Sequence, residues 1–423
     1  MTPVSHAQGP VAERAKLPDP TEPTEAGERT GPAAREAAPL PPGLKGVPVA
    51  DTEVGDVRGQ EGFYHYRQYS AVELAASRSL EDVWQLMAEG HLPLDEAEAR
   101  AFRAETAGAR RLPEPVSAML PDIARLPGGS GLTGLRTALS LVAAAEDMRP
   151  MWDLTPKERR RDLVRLSAVT PTLVAALHRG QRGLDAIEPD PELSHAANYL
   201  WMLTGERPDP ARARALEQYL MLTVDHGFNA STFTARVVTS TGADAGAALV
   251  AAVGALSGPL HGGAPSRALE TLESIGRPER AEAWIRDAVA RGERIMGFGH
   301  AVYRTDDPRS VMLRGVAQAL GGDLVDFAVQ VEGQVVATLA ELKPGRQLYA
   351  NVEYYAGVVM SLCGLDRELF TPTFAVSRVI GWCANIAEQA ADRHIIRPAA
   401  RYVGPPPPAP VPPAPVPLSP RAA

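Results

Sequence analysis

Apolar residues recur at three- and four-residue spacing from Glu73 onward, the period of helices with one buried face, and Gly and Pro punctuate the segments. The spacing predicts a helix over Glu73–Glu89 that stops at Gly90, and one over Ala211–Val224 with Asp209 as N-cap and Pro210 in its first turn. A short amphipathic helix follows over Asn229–Ser240, ending near Gly242. The next, Ala243–Leu256, is so rich in Ala and Gly that neighbouring backbones can approach it closely. Further helices are predicted over Pro265–Ile275, Arg277–Arg291, Pro308–Leu320, Asp323–Leu342, Val352–Cys363 and Phe370–Ala391. Only Gly43–Tyr69 departs from this period. Its short alternating stretches, VPVADTEVGDV and GFYHYRQYS, predict a small β element in an otherwise mainly α fold. No fixed-period repeat is present.

The two ends lack any hydrophobic period. Residues 1–42, rich in Pro, Ala, Glu and Thr, read as a disordered arm, and residues 405–423, running PPPPAPVPPAPVPLSP, as a polyproline II tail. Such a tail serves as a spacer or docks on an SH3-like partner. The folded part is therefore about 43–404, within a chain of 423 residues that is long enough for a large core and two domains. A net charge of −8 argues against nucleic acid as a partner. No apolar run reaches the roughly 18–20 residues of a membrane span, since even Ala243–Leu256 carries Asp244 and several glycines. The start of the chain has neither the apolar core of a signal peptide nor the acid-poor composition of a transit peptide, so the cytoplasm is expected. Only Cys363 and Cys383 occur, both in apolar helical contexts, which predicts two buried thiols rather than a disulfide.

Candidate chemistry concentrates in Met296–Arg309, MGFGHAVYRTDDPR. Gly297 and Gly299 let the backbone come close to a ligand, His300 sits on the turn they make, and Arg309 follows Pro308 at a helix start that favours anions. The segment suits a small polyanion with a carbonyl to be protonated. His261, in GPLHGG, lies near the start of the Pro265–Ile275 helix, where the dipole disfavours imidazolium. It either caps the turn or donates an N–H to a forming enolate oxygen. Glu353, in a first helical turn, is either a dipole complement or a base for a carbon acid. Arg378, within the apolar run FAVSRVIGW, needs an anionic partner, which a core carboxylate or a substrate carboxylate can supply. Arg397, in IIRP, has a similar apolar approach. His226 and Asn229, in DHGFNAS, fit a helix break and cap as well as a ligand site. No His, Cys and Asp cluster has metal-ligand spacing.

The four segments SGPLHGGA, MGFGHAVYRTDDPR, NVEYYAGVV and FAVSRVIGW together resemble the citrate synthase family, over about Gly43 to Gly404. The resemblance implies a mainly helical homodimer. Its small domain would span 264–367, and its large domain 43–263 and 368–404. It implies condensation of acetyl-CoA with oxaloacetate and hydrolysis to citrate and CoA, with no metal and no cofactor beyond the CoA thioester substrate. His261 matches the histidine that polarises the acetyl carbonyl, His300 the one that protonates the oxaloacetate carbonyl, and Glu353 the carboxylate base. His226, Arg309, Arg378 and Arg397 match dicarboxylate ligands, Arg397 reaching across from the partner subunit, and Arg304 matches a CoA phosphate contact. A shared set of motifs leaves 2-methylcitrate synthesis from propionyl-CoA as an alternative.

One residue departs from the pattern. The family usually carries Asp where this chain has Glu353, and no Asp lies within ten residues on either side. The extra methylene moves the carboxylate by about 1.5 Å, and a misplacement of about 1 Å can cost on the order of 10²-fold in rate. Either the local helix has shifted to compensate, or turnover is reduced, as in a paralogue that binds without turning over, or the substrate differs.

Overall fold

The computed structural model describes residues 40–412, apart from 262–263 and the side chains of Ala264 and Pro265. The disorder expected over 1–42 lies outside the described residues except at its last three positions, and the tail is described only to Pro412. Met1–Asp51 forms a unit of its own, whose described part contains a short 3₁₀ turn at Pro42–Leu44, and Thr52–Ala423 forms a second compact unit.

The second unit opens with an antiparallel meander of β1 (Gly55–Arg58), β2 (Phe63–Tyr66) and β3 (Tyr69–Ser70), in which Gly55 faces Tyr66 and Arg58 faces Phe63. Helices follow in the order α1 (Ala71–Ser77), α2 (Leu80–Glu89), α3 (Glu96–Gly108), α4 (Glu114–Ala124), α5 (Leu132–Ala145), α6 (Pro156–Gln181), α7 (His195–Thr204) and α8 (Pro210–Thr223). The second half holds α9 (Ala230–Ser240), α10 (Ala245–Leu256), α11 (Ala264–Ile275), α12 (Ala281–Ala290), α13 (Pro308–Leu320), α14 (Asp323–Leu342), α15 (Val352–Leu362) and α16 (Phe370–Ala391). The unit is mainly α with one short sheet, as the hydrophobic pattern predicts.

Two predicted helices are broken. Glu73–Glu89 is α1 and α2, because Arg78 is extended (φ −120°, ψ 170°) and Ser79 starts a new helix with a capping box to Asp82. Apolar spacing carries across such a break, so the period alone does not reveal it. Arg277–Arg291 likewise begins as a 3₁₀ turn at Pro278–Arg280 before α12.

The core is organised around α16, which packs on α2, α6, α8, α9 and α10 and is buried on nearly every side. Small residues make that possible. A Cβ on Gly381 would lie 2.0 Å from the carbonyl oxygen of Val224, so α16 and the end of α8 meet backbone to backbone there. Gly246 of α10 approaches α5 in the same way, with Ala143 Cβ only 2.3 Å from where its own Cβ would be. We expect Gly381→Ala to destabilise the protein by at least 1–3 kcal/mol, roughly the cost of overpacking. Gly315→Ala, on the exposed face of α13 where nothing lies within 4 Å, should be neutral or stabilising by up to about 1 kcal/mol. Urea midpoints of the two variants check this, and equal midpoints contradict it.

Helices α11 to α15 pack mainly on one another, α12 on α14 and both α11 and α13 on α15. They meet the remainder chiefly through α8 and α16. The candidate chemistry lies along that seam.

Candidate active site

The site is assembled on the C-terminal end of α8. The last carbonyls of a helix have no intrahelical partner, and here each of four finds one from another element. Ser377 Oγ donates to Leu220 O, Tyr66 OH to Met221 O at 2.9 Å, Tyr64 OH to Leu222 O at 3.0 Å and Arg378 Nε to Thr223 O at 2.8 Å. Among the described residues, Arg378 makes not a core ion pair but a bond to the end of a helix. Its guanidinium complements the negative end of a helix dipole, stacks 4.5 Å from the Phe374 ring, and forms no ion pair among the described residues. Arg378 also lines a cavity. Buried Asp225 lies nearby, its carboxyl pushed by burial up to about 6 against the pull of Arg378.

His226 follows at once, with Nε2 at 3.0 Å from Tyr303 OH. Burial, then the charges of Arg309 and Arg378, hold its imidazole well below the usual range, so it is neutral. Asn229 is the N-cap of α9, its Oδ1 accepting from Thr232 N and from Ser231 Oγ. The next turn fixes His261. Ser231 N donates to His261 Nε2 at 3.3 Å, and Ser231 Oγ lies 2.8 Å from the same atom. The amide can only donate, so it favours the neutral tautomer in which Nε2 accepts and the proton sits on Nδ1, and the Ser231 hydroxyl suits that tautomer when its one proton turns from Asn229 Oδ1 to Nε2. Burial, then Arg378, brings this imidazole down to about 4. The amide that anchors His261 comes from α9, 30 residues away in sequence.

His300 and Glu353 are held by a single backbone tie. Phe298 and Ala350 form an isolated antiparallel bridge, Gly299 N donates to Tyr349 O at 2.8 Å, and Asn351 N donates to Gly297 O at 2.9 Å. Gly297 and Gly299 adopt φ of 87° and 81°, the left-handed region that favours glycine. Asn351 caps α15 by accepting from Glu353 N and donates through Nδ2 to Gly299 O, so one side chain ties the base candidate to the His300 turn. His300 Nδ1 accepts from Val302 N and Tyr303 N, both at 3.0 Å, which places its proton on Nε2. That atom lies 3.2 Å from Arg309 Nη2, another donor. An acceptor oxygen placed to one side of the two nitrogens can take a hydrogen bond from each. Burial, then Arg309, brings His300 down to about 4, so the ring is a neutral donor.

Arg309 is fixed by Asp307, the N-cap of α13, through Nε at 2.9 Å and Nη2 at 2.8 Å. Asp307 also accepts from Arg309 N and from Val352 N, joining the starts of α13 and α15. Burial opposes its ionisation, but the Arg309 charge and hydrogen bonds prevail and hold it below the usual carboxylate range. Glu353 has the opposite balance. Burial pushes its carboxyl up to about 7, with Arg309 opposing and Asp307 assisting.

His226, His261, His300, Arg309, Glu353 and Arg378 thus line one cavity of about 370 Å³. A cavity of about 400 Å³ on the other side of α16 is walled mainly by apolar residues, including Trp84, Leu163 and Ile380, and none of those six enters it. Two sequence candidates lie outside the cavity within one chain. Arg304 is exposed, its amide donating to Gly59 O at 3.0 Å, and Arg397 is exposed beyond the end of α16. Away from the cavity, His178 converges with Asp366 and Glu368, a grouping sequence spacing does not reveal. Arg182 already pairs with both carboxylates, at 2.6 and 3.0 Å. Both cysteines are free and buried, their thiols pushed up to about 12 by burial.

Sequence reading missed Tyr64, Ser231, Tyr303 and Asp307. Only Asp307 left a local signal, an Asp directly before Pro at a helix start.

Comparison with known proteins places the chain among relatives of one family. Residues 43–399 match the family described as citrate synthase, C-terminal domain. The chain is 36% identical to the citrate synthase of Deinococcus radiodurans, over 86% of this chain and 95% of that one. It is 38% identical to that of Haloferax volcanii, with the same coverage. Among solved structures, citrate synthase from Thermotoga maritima superposes with a TM-score of 0.76 at 33% identity, covering 88% of this chain and 97% of that one. The ternary complex of carboxymethyl coenzyme A and oxaloacetate with the Thermoplasma acidophilum citrate synthase superposes with a TM-score of 0.79 at 29% identity, covering 88% and 98%. With a family match across most of its length and relatives well above 30% identity, this chain belongs to the citrate synthase family, a family of acyl-transferring condensing enzymes.

Proposed function

We propose that the cavity condenses acetyl-CoA with oxaloacetate and hydrolyses the product to citrate and CoA. The observation that carries this reading is the pairing of two neutral histidines in opposite tautomers, Nδ1–H at His261 and Nε2–H at His300, with a carboxyl poised near neutrality at Glu353.

A carboxylate alone removes a thioester α-proton slowly, because the developing enolate is unstable without a donor at its oxygen. Glu353 takes the proton and His261 Nδ1–H supports the enol oxygen. The nucleophilic carbon attacks the ketone carbon of oxaloacetate. The ketone oxygen, beside His300 Nε2–H and Arg309, takes up the His300 proton, and the proton held by Glu353 replaces it, so that both groups are restored by the end of the cycle. Arg309, Arg378 and His226 receive the carboxylates, and water then cleaves the thioester to release CoA. Acid, base and oxyanion donors are all side chains, and CoA enters as part of the substrate.

Further parts of the reading extend beyond one chain's cavity. Arg397 completes the dicarboxylate site from the partner in a homodimer, and Arg304 contacts a CoA phosphate. Residues 264–367 act as a small domain whose closure excludes water. Among the described residues no helix is long and apolar enough to cross a membrane, and we place the enzyme in the cytoplasm. His300→Ala should lower kcat by about 10²–10⁴-fold, the usual range for a general acid, in a protein that remains folded. Turnover within a factor of a few of wild type contradicts the assignment.

A further inference from the structure

We propose that the turn between β1 and β2 is a clamp that positions His300, with Gly59 as the positioning residue. The inference rests on His300 acting as described above. The turn, closed by Glu61 N donating to Arg58 O at 3.0 Å, lies directly against the loop that follows His300. Arg304 N donates to Gly59 O at 3.0 Å. A Cβ on Gly59 would lie 2.3 Å from Val302 O and 2.7 Å from its carbonyl carbon, so the two backbones touch where no side chain fits. A Cβ on Gly62 would lie 2.7 Å from Thr305 Oγ1.

Val302 faces both ways. Its carbonyl abuts Gly59, while its amide is one of the two that donate to His300 Nδ1. Anything that moves Val302 therefore disturbs the bonds that set the orientation and tautomer of His300. The hairpin is itself rigidly placed. Strand alternation buries Tyr64 and Tyr66 on one face, and their hydroxyls hold the last carbonyls of α8. The helix end that organises Arg378 and His226 thus also fixes, through β2 and its turn, where the His300 loop can rest. None of the hairpin turn residues lines the cavity, so they act through His300 rather than on substrate.

Three variants test the clamp by steady-state kinetics and by hydrogen–deuterium exchange of the segment 296–307. Gly59→Ala should lower kcat by about 10²-fold, the cost of roughly a 1 Å misplacement, with KM for acetyl-CoA little changed and protection lost at Val302 and Tyr303. Gly62→Ala meets only a rotatable hydroxyl and has φ +62°. It should show a several-fold loss with the same exchange signature, and it carries the test should Gly59→Ala not fold. Arg58→Ala, at a half-exposed neighbour, should behave as wild type. Folded Gly59→Ala and Gly62→Ala proteins with wild-type kcat and wild-type exchange overturn the clamp. A wild type without condensing activity overturns the proposed reaction instead, and exchange still reports on the clamp.

Discussion

Glu353→Gln should lower kcat by about 10³-fold, within the range assigned to a general base, while the protein stays folded. The amide keeps the shape of the side chain and its place in the first turn of α15, and removes only the basic oxygen. The same residue sets a pH dependence. Its carboxyl is pushed up to about 7 by burial. Below that value it is protonated in the folded protein and cannot accept a proton. Wild-type kcat/KM should therefore fall about tenfold per pH unit below 7 and level off above it, and the slope should vanish in Glu353→Gln. A flat wild-type profile between pH 5 and pH 8 excludes Glu353 as the base. Glu353→Asp withdraws the carboxylate by about 1.5 Å and should cost on the order of 10²-fold. A gain of activity in that variant instead marks a chain tuned away from acetyl-CoA turnover.

Asp307→Ala should destabilise the protein by about 3–5 kcal/mol, the cost of leaving one member of a buried ion pair alone. Arg309 and Asp307 are both almost completely buried, and Asp307 accepts from Arg309 Nε, Arg309 Nη2, Arg309 N and Val352 N. Its loss strands the guanidinium, uncaps α13 and frees the start of α15, which carries Glu353. Urea denaturation measures the change. Adding Arg309→Leu to Asp307→Ala should recover part of the stability but none of the activity, since the two effects are not additive within one pair. A loss below 1 kcal/mol in Asp307→Ala means that the pair does not organise the site.

The bounds of α13, α14 and α16 are legible in the sequence, because each carries a long apolar period with clear punctuation. The split of α1 from α2 is not, since Ser79 breaks the backbone without disturbing the apolar spacing. At the site, residue type and flanking glycines mark His261 and His300 as candidates, while Glu353 stands out only beside that pair and through the family resemblance. What the sequence hides is every partner at long range: Ser231 for His261, the end of α8 for Arg378, and Tyr303 for His226. Those partners decide tautomer and charge, so the chemistry becomes specific only once the chain is folded. Arg397, placed by resemblance, is exposed in the single chain, and a partner subunit is the context in which it would act.

Release of free thiol from acetyl-CoA, with and without oxaloacetate, by the wild type and by Glu353→Gln, tests the central claim most directly. The account predicts oxaloacetate-dependent release by the wild type and its near-complete loss in Glu353→Gln. Equal release by both proteins, or release by the wild type that does not depend on oxaloacetate, contradicts it.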